Sequence, residues 1–337
     1  RWDGKCAVVE PLLSVRDLTV EFATRHGWVE AVDALSFDLA EGRTLGLVGE
    51  SGCGKSTTAL AIMGLLPRTG SRVSRGQILL QGNDLLALSD KRQRQLRGAQ
   101  LSMIFQEPMT SLNPAFTIGE QIAETARFHL RLSRRAAWRR AVEYLDLVEI
   151  PAAARRAHDY PHTFSGGMLQ RAMIAMALVC GPRLLVADEP TTALDVTIQA
   201  QVLGLLTRLQ NELGMAILLI THDLGVVAEV CDEVTVMYAG QAVEQTDVAG
   251  LVEAPAHPYT AGLLACMPQR TPGRSPLKVP RPDQMPTGCR FHPRCAYAAA
   301  VCVAEPPALV RRRGVRADRC VRHPELTEAD GSIHVPA

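Results

Sequence analysis

Apolar and polar positions alternate from Leu12 to Phe22 (Leu13, Val15, Leu18, Val20, Phe22), the period of a half-buried strand. Thr24–Trp28 carries Gly27 and predicts a turn, Ala34–Leu39 a return strand, and Glu41-Gly42 the turn into an apolar run, Thr44–Val48. These hairpins predict a small antiparallel sheet. After a glycine-rich stretch, Ser56–Leu66 reads as a helix stopped by Pro67. Gly76–Leu80 and Leu101–Phe105 read as strands with a polar helix, Ser89–Arg97, between them. Ile118–Leu147 has helical periodicity broken near Ser133, and Met168–Val179 is helical again, its Met168, Met173 and Met176 at the spacing of core positions. Two further apolar runs, Leu184–Ala187 and Ala216–Ile220, predict strands buried on both faces of a parallel sheet. The fold class is α/β.

The pattern changes at Met267. Pro268, Pro272, Pro276, Pro280, Pro282 and Pro286 make a stiff, extended linker, and beyond it lie Cys289, Cys295, Cys302 and Cys320. At 337 residues, 47% hydrophobic and 21% charged, the chain has the length for more than one core and the composition of a soluble globular protein. The net charge of +1 argues against a strongly electrostatic partner, yet from Pro268 onward 12 Lys+Arg stand against 6 Asp+Glu. No apolar run reaches the roughly 18 residues a membrane-spanning helix needs, and Arg1–Glu10 lacks the apolar core of a secretion signal. Arg131, Arg134, Arg135, Arg139 and Arg140 read as a solvated helix face, with a membrane surface or partner as the alternative.

The candidate chemistry sits where predicted strands end. Gly49, four residues, then Gly54-Lys55-Ser56 form a phosphate-binding loop between a strand and a helix. Backbone N–H groups across Gly49, Ser51, Gly52, Cys53, Gly54 and Thr57 are expected to cradle phosphate oxygens, helped by the helix N-terminus. Lys55 is expected on the β- and γ-phosphates and Ser56 on Mg²⁺. Asp188 is delivered by a buried strand to hold Mg²⁺, and the adjacent Glu189 to polarise the water attacking the γ-phosphate. Gln106 is placed to touch Mg²⁺ or that water, and His222 to donate to the γ-phosphate. Ser165-Gly166-Gly167 ahead of a helix is a second anion site. Phe22 or Trp28 is available to stack on adenine, with Phe22 preferred. The reading is a nucleoside-triphosphate-binding chain.

In the tail, Cys289-x5-Cys295-x6-Cys302-x17-Cys320 supplies four thiolates. Zinc and an iron–sulfur cluster both accept such a set, and disulfides suit a reducing compartment poorly. Structural zinc usually takes close ligand pairs, which are missing here. Arg290 and Arg294 flank the ligands, either offsetting cluster charge or facing solvent.

The phosphate loop, Gln106, Ser165-Gly166-Gly167, Asp188-Glu189, Asp195 and His222, in that order, resemble the ATP-binding cassette (ABC) family over about Leu12 to Met267. The resemblance implies a two-lobed ATPase: a RecA-like P-loop core with an antiparallel β-subdomain, and a helical subdomain inserted around Thr117–Thr163 and running on to about residue 180. It implies that two cassettes close head to tail, so that Ser165, Gly166, Gly167 and Met168 clamp the γ-phosphate in the partner's loop and Asp195 lies in the connecting loop. Met168 departs from the family's usual Gln. Tyr160-Pro161-His162, Met109–Pro114, Asp188–Thr197, His257-Pro258-Tyr259-Thr260 and the four-cysteine tail resemble the ATP-binding subunits of oligopeptide, dipeptide and nickel importers. Met168 and Thr192 mark this chain as similar to the first of two paired ATPase subunits.

That narrower resemblance implies a nucleotide-binding domain at 12–267, a linker at 268–288 and an extension at 289–337. It also implies ATP, Mg²⁺ and a [4Fe–4S] cluster as cofactors, with zinc as the alternative for the cysteines. The implied partners are a second ATP-binding subunit, two permeases and an extracytoplasmic solute-binding protein, at the cytoplasmic face of the membrane. A nickel or metal-chelate importer is the alternative within transport. A nucleic-acid ATPase is the alternative of another class, disfavoured because the chain has no long coiled coil, second cassette or aromatic-studded basic groove. A non-hydrolysing regulatory subunit is disfavoured because Glu189 and His222 are both present.

Overall fold

A computed structural model describes residues 10–107, 111–192, 194–265, 279–281, 283–312 and 315–326. Met109, Thr110, Ala193, Met267, Pro268, Pro272, Pro276 and Pro282, which enter the motifs and the linker above, lie outside the described residues.

Two sheets organise the chain. The smaller one is antiparallel and contains β1 (Leu13–Thr24), β2 (Gly27–Leu39), β4 (Ser71–Leu80) and β5 (Asn83–Asp84) in the order β2-β1-β4-β5. The turn predicted at Gly27 closes β1 onto β2, with Thr24 opposite Gly27. β2 begins seven residues before the sequence pattern, because its first half is half-buried and alternates weakly.

Among the described residues the larger sheet has eight strands in the order β11-β12-β10-β9-β3-β8-β7-β6. At its centre lie β3 (Thr44–Val48), β7 (Leu184–Asp188) and β8 (Ala216–Thr221), flanked by β6 (Leu101–Ile104) and β9 (Glu233–Tyr238), with β10 (Gln241–Asp247) beyond. β3, β7 and β8 are buried throughout, as parallel strands covered on both faces must be. Their register pairs Val48 with Thr221, Ile220 with Asp188 and Ala187 with Ile104, so four carboxyl ends finish level at one edge. Ligands of open α/β sheets bind at that edge.

The helix after β3 runs Lys55–Met63, shorter than expected. Gly64 ends it in the left-handed conformation, its N–H turning back to the Ala61 and Leu60 carbonyls, three residues before Pro67 could act. Ile118–Leu130 and Arg134–Leu147 are two helices, and Ser133 is the N-cap of the second, its hydroxyl accepting from the Ala136 N–H. With Gly166–Leu178 they enclose a core of Ile118, Ile122, Leu145, Leu169 and Ile174. Met173 is buried and Met168 and Met176 pack against that core, so the methionine stripe is a packing feature. The arginine cluster divides. Arg140 donates to the Val179 carbonyl at 2.6 Å, whereas Arg134 and Arg135 border an open groove with Phe116, Trp138 and Tyr160.

The C-terminal residues pack against the preceding part of the chain. β11 (Val310–Arg311) and β12 (Ala317–Asp318) continue the large sheet, with Glu244 of β10 opposite Asp318. Phe291, Cys289 and Cys295 join Tyr238, Tyr259 and Leu264 in a shared core. A segment too short to build a core alone thus uses one supplied by β9 and the helix Pro258–Ala265.

Candidate active site

The edge where β3, β6, β7 and β8 finish carries a cavity of about 500 Å³ lined by the loop from Gly49 to Thr57, Gln106, Glu189 and His222. Two glycines are obligatory there. Gly49 has φ +152°, and a Cβ on it would meet the Met237 carbonyl oxygen at 2.2 Å; Gly54, at φ +105°, would meet the Ala31 carbonyl oxygen at 2.6 Å. Ser51, Gly52, Lys55, Ser56 and Thr57 line the cavity, while Cys53 lies fully buried beneath it, its Sγ 3.8 Å from Lys55 Nζ. Lys55 Nζ donates to the carbonyls of Gly49 and Glu50 at 2.7 and 3.0 Å, held at the base of the loop.

The Ser56 hydroxyl donates to Asp188 Oδ1 at 3.1 Å, bringing together the two residues expected on Mg²⁺. Burial pushes the Asp188 carboxyl pKa up, against the opposing pull of Ser56 and Lys55. A dication is the natural counterion for an oxygen pair in such a place.

Glu189 is the hub. It follows β7 at φ +47°, a left-handed conformation uncommon for a non-glycine residue, with its N–H on the Ile220 carbonyl at 2.9 Å. Gln106 Nε2 and Thr192 Oγ1 both donate to Oε2 at 2.9 Å, and His222 Nδ1 lies 3.1 Å from Oε1. Burial alone would raise the Glu189 pKa. The hydrogen bonds from His222 and Thr192 and the charges of His222 and Lys55 outweigh it and hold the carboxyl below its usual value. The group is thus an ionised acceptor at the cavity wall, suited to orienting a water for attack on a phosphoryl group.

Ser165, Gly166, Gly167 and Met168 do not line this cavity. Ser165 caps the helix Gly166–Leu178, its hydroxyl accepting from the Met168 N–H, and Ser165 and Gly166 are exposed. A Cβ on Gly167 would meet Ile198 at 2.9 Å, so the turn packs against the helix Val196–Leu213 that Asp195 caps. Val196, beside Asp195, is 83% exposed.

Phe22 is also outside the cavity lining; it sits opposite Val29 in the small sheet and packs against the core. Trp28 is covered by the Arg72 guanidinium at 4.2 Å from its ring. The cavity wall on that side is Ala31.

The sequence assigns several residues of the site no role at the nucleotide. Thr192 completes the Glu189 hub, Leu263 lines the cavity, and the Tyr259 hydroxyl accepts from the Glu50 N–H at 3.0 Å. Arg290 and Arg294 do not face solvent: Arg290 pairs with Asp33 at 2.6 Å and Arg294 with Glu50 at 2.7 Å. Their partners lie more than two hundred residues away in sequence, and local spacing carries no signal for such contacts.

Cys289, Cys295, Cys302 and Cys320 line one small cavity together with His257, His292 and Tyr297, and the Cys289 N–H donates to the Cys302 carbonyl at 2.8 Å. Among the described residues, no three His, Cys, Asp or Glu are gathered to hold a metal ion. The expected cluster therefore has its four thiols around one space, but not a formed metal site.

Residues 32–192 match the family described as ABC transporter, and residues 243–302 the oligopeptide/dipeptide transporter C-terminal region. A Brucella abortus protein named as a peptide import ATP-binding protein is 50% identical over 92% of this chain and 94% of its own length. A Sinorhizobium fredii protein named as a peptide ABC transporter ATP-binding protein is 48% identical over 94% of this chain and 96% of its own. Among solved structures, the ATP-binding cassette MJ0796, a dimer in a post-hydrolysis state bound to ADP and Pi, superposes with a TM-score of 0.63. It is 26% identical over 70% of this chain and 98% of that one. With its phosphate loop, Ser56–Asp188 pair and Glu189 hub in place, the chain belongs to the ABC transporter family and is one of its ATPases.

Proposed function

We propose that this chain is the ATP-hydrolysing subunit of a multi-subunit importer that powers uptake of peptides. The observation that carries the reading is the joining of the Glu189 hub to a C-terminal segment of the oligopeptide/dipeptide transporter type, packed into one core with the cassette. The Brucella and Sinorhizobium relatives, similar over almost their whole length, carry peptide-transport names.

In this reading ATP would fill the cavity with its phosphates on the loop, and Ser56 and Asp188 would hold Mg²⁺, which would offset the triphosphate's charge. Glu189 orients the attacking water, Gln106 and Thr192 hold Glu189, and His222 faces the γ-phosphate. The exposed Ser165-Gly166 turn, lying off its own cavity, serves the nucleotide of a paired ATP-binding subunit. Two permeases and an extracytoplasmic solute-binding protein complete the assembly, and the chain sits peripherally at the cytoplasmic face. No described helix is long and apolar enough to cross a membrane; in this reading the translocation path belongs to the permeases. We divide the chain into a nucleotide-binding domain at 12–267, a linker at 268–288 and the extension at 289–337.

The four tail cysteines are assigned to a [4Fe–4S] cluster. The donor set fits: four soft thiols face one cavity walled by Phe291, Tyr297 and Val321. A single zinc would draw all four sulfurs to about 2.3 Å from one point, whereas a cluster binds each at a different iron and so accepts a wider arrangement. The cluster would staple the tail and take no part in hydrolysis.

The test is ATPase activity of the complex reconstituted with its permeases and solute-binding protein. Stimulation by di- or oligopeptides is expected. Stimulation by nickel or a metal chelate alone would transfer the reading to a metal importer.

A further inference from the structure

Glu50 is the second residue of the phosphate loop, and each of its polar groups is held. Its N–H donates to Tyr259 Oη at 3.0 Å. Its carbonyl accepts from Lys55 Nζ at 3.0 Å and from the Cys53 N–H at 3.3 Å. Its carboxylate accepts from both terminal nitrogens of Arg294, at 2.7 and 2.8 Å. Arg294 belongs to the extension, 244 residues along the chain, and its side chain is 9% exposed. The guanidinium lies 5.4 Å from the Tyr238 ring and 5.8 Å from the Phe291 ring, so aromatic faces fix its plane while the fork meets the carboxylate.

A second arm runs beside the first. Arg290 pairs with Asp33 at 2.6 Å and donates to the Ala239 carbonyl at 2.5 Å. The next residue, Gly240, donates its N–H to the Cys53 carbonyl of the loop at 3.0 Å. The extension therefore touches the phosphate loop directly at Glu50 and is linked to Cys53 only through the Ala239–Gly240 turn.

A carboxylate in a loop built for a polyanion needs an explanation. Unpaired, it repels the triphosphate and offers Lys55, in the same loop, a competing partner. Paired, it becomes a handle by which another segment fixes the loop. We propose that Arg294 is a positioning residue of the ATP site: with Tyr259 it holds Glu50, keeps the loop in its phosphate-accepting shape and cancels the carboxylate's charge beside the bound anion. The extension thereby sets ATP affinity without touching the nucleotide. This rests on reading the 500 Å³ cavity as the ATP site.

The experiment measures the Kd for ATP by equilibrium titration of the full chain, and KM and kcat in the assembled complex. Arg294→Ala is expected to raise Kd and KM about ten- to thirtyfold, the effect of one unit charge roughly 8 Å away at an effective dielectric of about 20. Its kcat should stay within about twofold of wild type, because no group of the Glu189 hub has moved. Arg294→Lys, which keeps the charge but loses the fork, should fall between. The double variant Glu50→Gln with Arg294→Ala should recover most of the affinity. A merely structural role would lower Tm without such recovery. If Arg294→Ala does not fold, Arg294→Lys carries the test and should bind ATP measurably more weakly than wild type, with kcat within about twofold.

Wild-type affinity in Arg294→Ala, wild-type affinity in Arg294→Lys where the alanine variant does not fold, or a double variant no better than the single one would each overturn the proposal. Lys55→Ala separates the two readings. If it binds ATP like wild type, the cavity assignment fails. If it loses ATP while Arg294→Ala does not, only the role of Arg294 fails.

Discussion

Replacing Glu189 by Gln tests the centre of the site with the least change in shape. The carboxylate accepts from Gln106 and Thr192 on one oxygen and faces His222 on the other, at 2.9, 2.9 and 3.1 Å. A glutamine amide keeps one of these sides with its oxygen and turns its NH₂ to the other, so the fold loses about one hydrogen bond, worth roughly 1 kcal/mol. The chemical step loses its acceptor for the water's proton, which lowers turnover by roughly 10²–10⁴-fold, or about 2.7–5.4 kcal/mol of barrier. Because the second term exceeds the first, Glu189→Gln in the assembled complex should bind ATP normally, melt within a few degrees of wild type and scarcely release phosphate. Activity also has a pH signature. The folded pKa of Glu189 lies below the ordinary 4.5, so the base is ionised throughout the neutral range, and its limb of the rate profile falls at pH values below 4.5. The stability this ionised group contributes has the same window, present above its ordinary value and lost as pH falls through the lowered one. Steady-state turnover within about tenfold of wild type would refute the assignment, as would loss of ATP binding, which the geometry gives no reason to expect.

If the proposed composite site holds, the isolated chain should hydrolyse ATP poorly and gain activity when the proposed paired subunit and the permeases are added, since the Ser165-Gly166 turn lies off its own cavity; full activity from a strict monomer, measured by sedimentation alongside phosphate release, would remove the composite site. Anaerobically purified protein should be brown, with iron and sulfide near four per chain as a Cys₄ cubane requires, whereas colourless protein with one zinc per chain would replace the cluster and keep the ligands. Glu244 is fully buried, which raises its pKa from 4.5 to about 7 even though it accepts from the Ala256 and His257 N–H groups. The stability its bound proton contributes is full below pH 4.5 and is lost as pH rises through about 7, a span of order 3 kcal/mol. Glu244→Gln should therefore gain stability relative to wild type between pH 5 and 8 in denaturant titrations; parallel profiles for the two proteins would contradict this.

Local pattern alone determined much of this protein. The apolar runs at Thr44–Val48, Leu184–Ala187 and Ala216–Ile220 are parallel core strands, since a segment apolar on both faces has no stable place except between two covering layers. Gly49 and Gly54 mark backbone that no side chain can occupy, and Lys55, Ser56, Asp188 and Glu189 adjoin strand ends that the register brings level. The runs, the glycines and the motif residues are written in short windows, where steric and hydrophobic rules act, whereas the register that levels them is tertiary. Three matters were settled only in the folded chain. Phe22, half-buried, packs against the core opposite Val29, a placement the alternation leaves open until the second strand is placed. The first helix ends at Gly64, whose left-handed turn acts before the proline that reads more loudly in the sequence. The tail, whose prolines and cysteines suggest a separate appendage, adds strands to the main sheet and sends Arg294 to Glu50. Such a contact depends on where two remote segments come to rest, and electrostatic pairing at that range leaves no periodicity for the sequence to display.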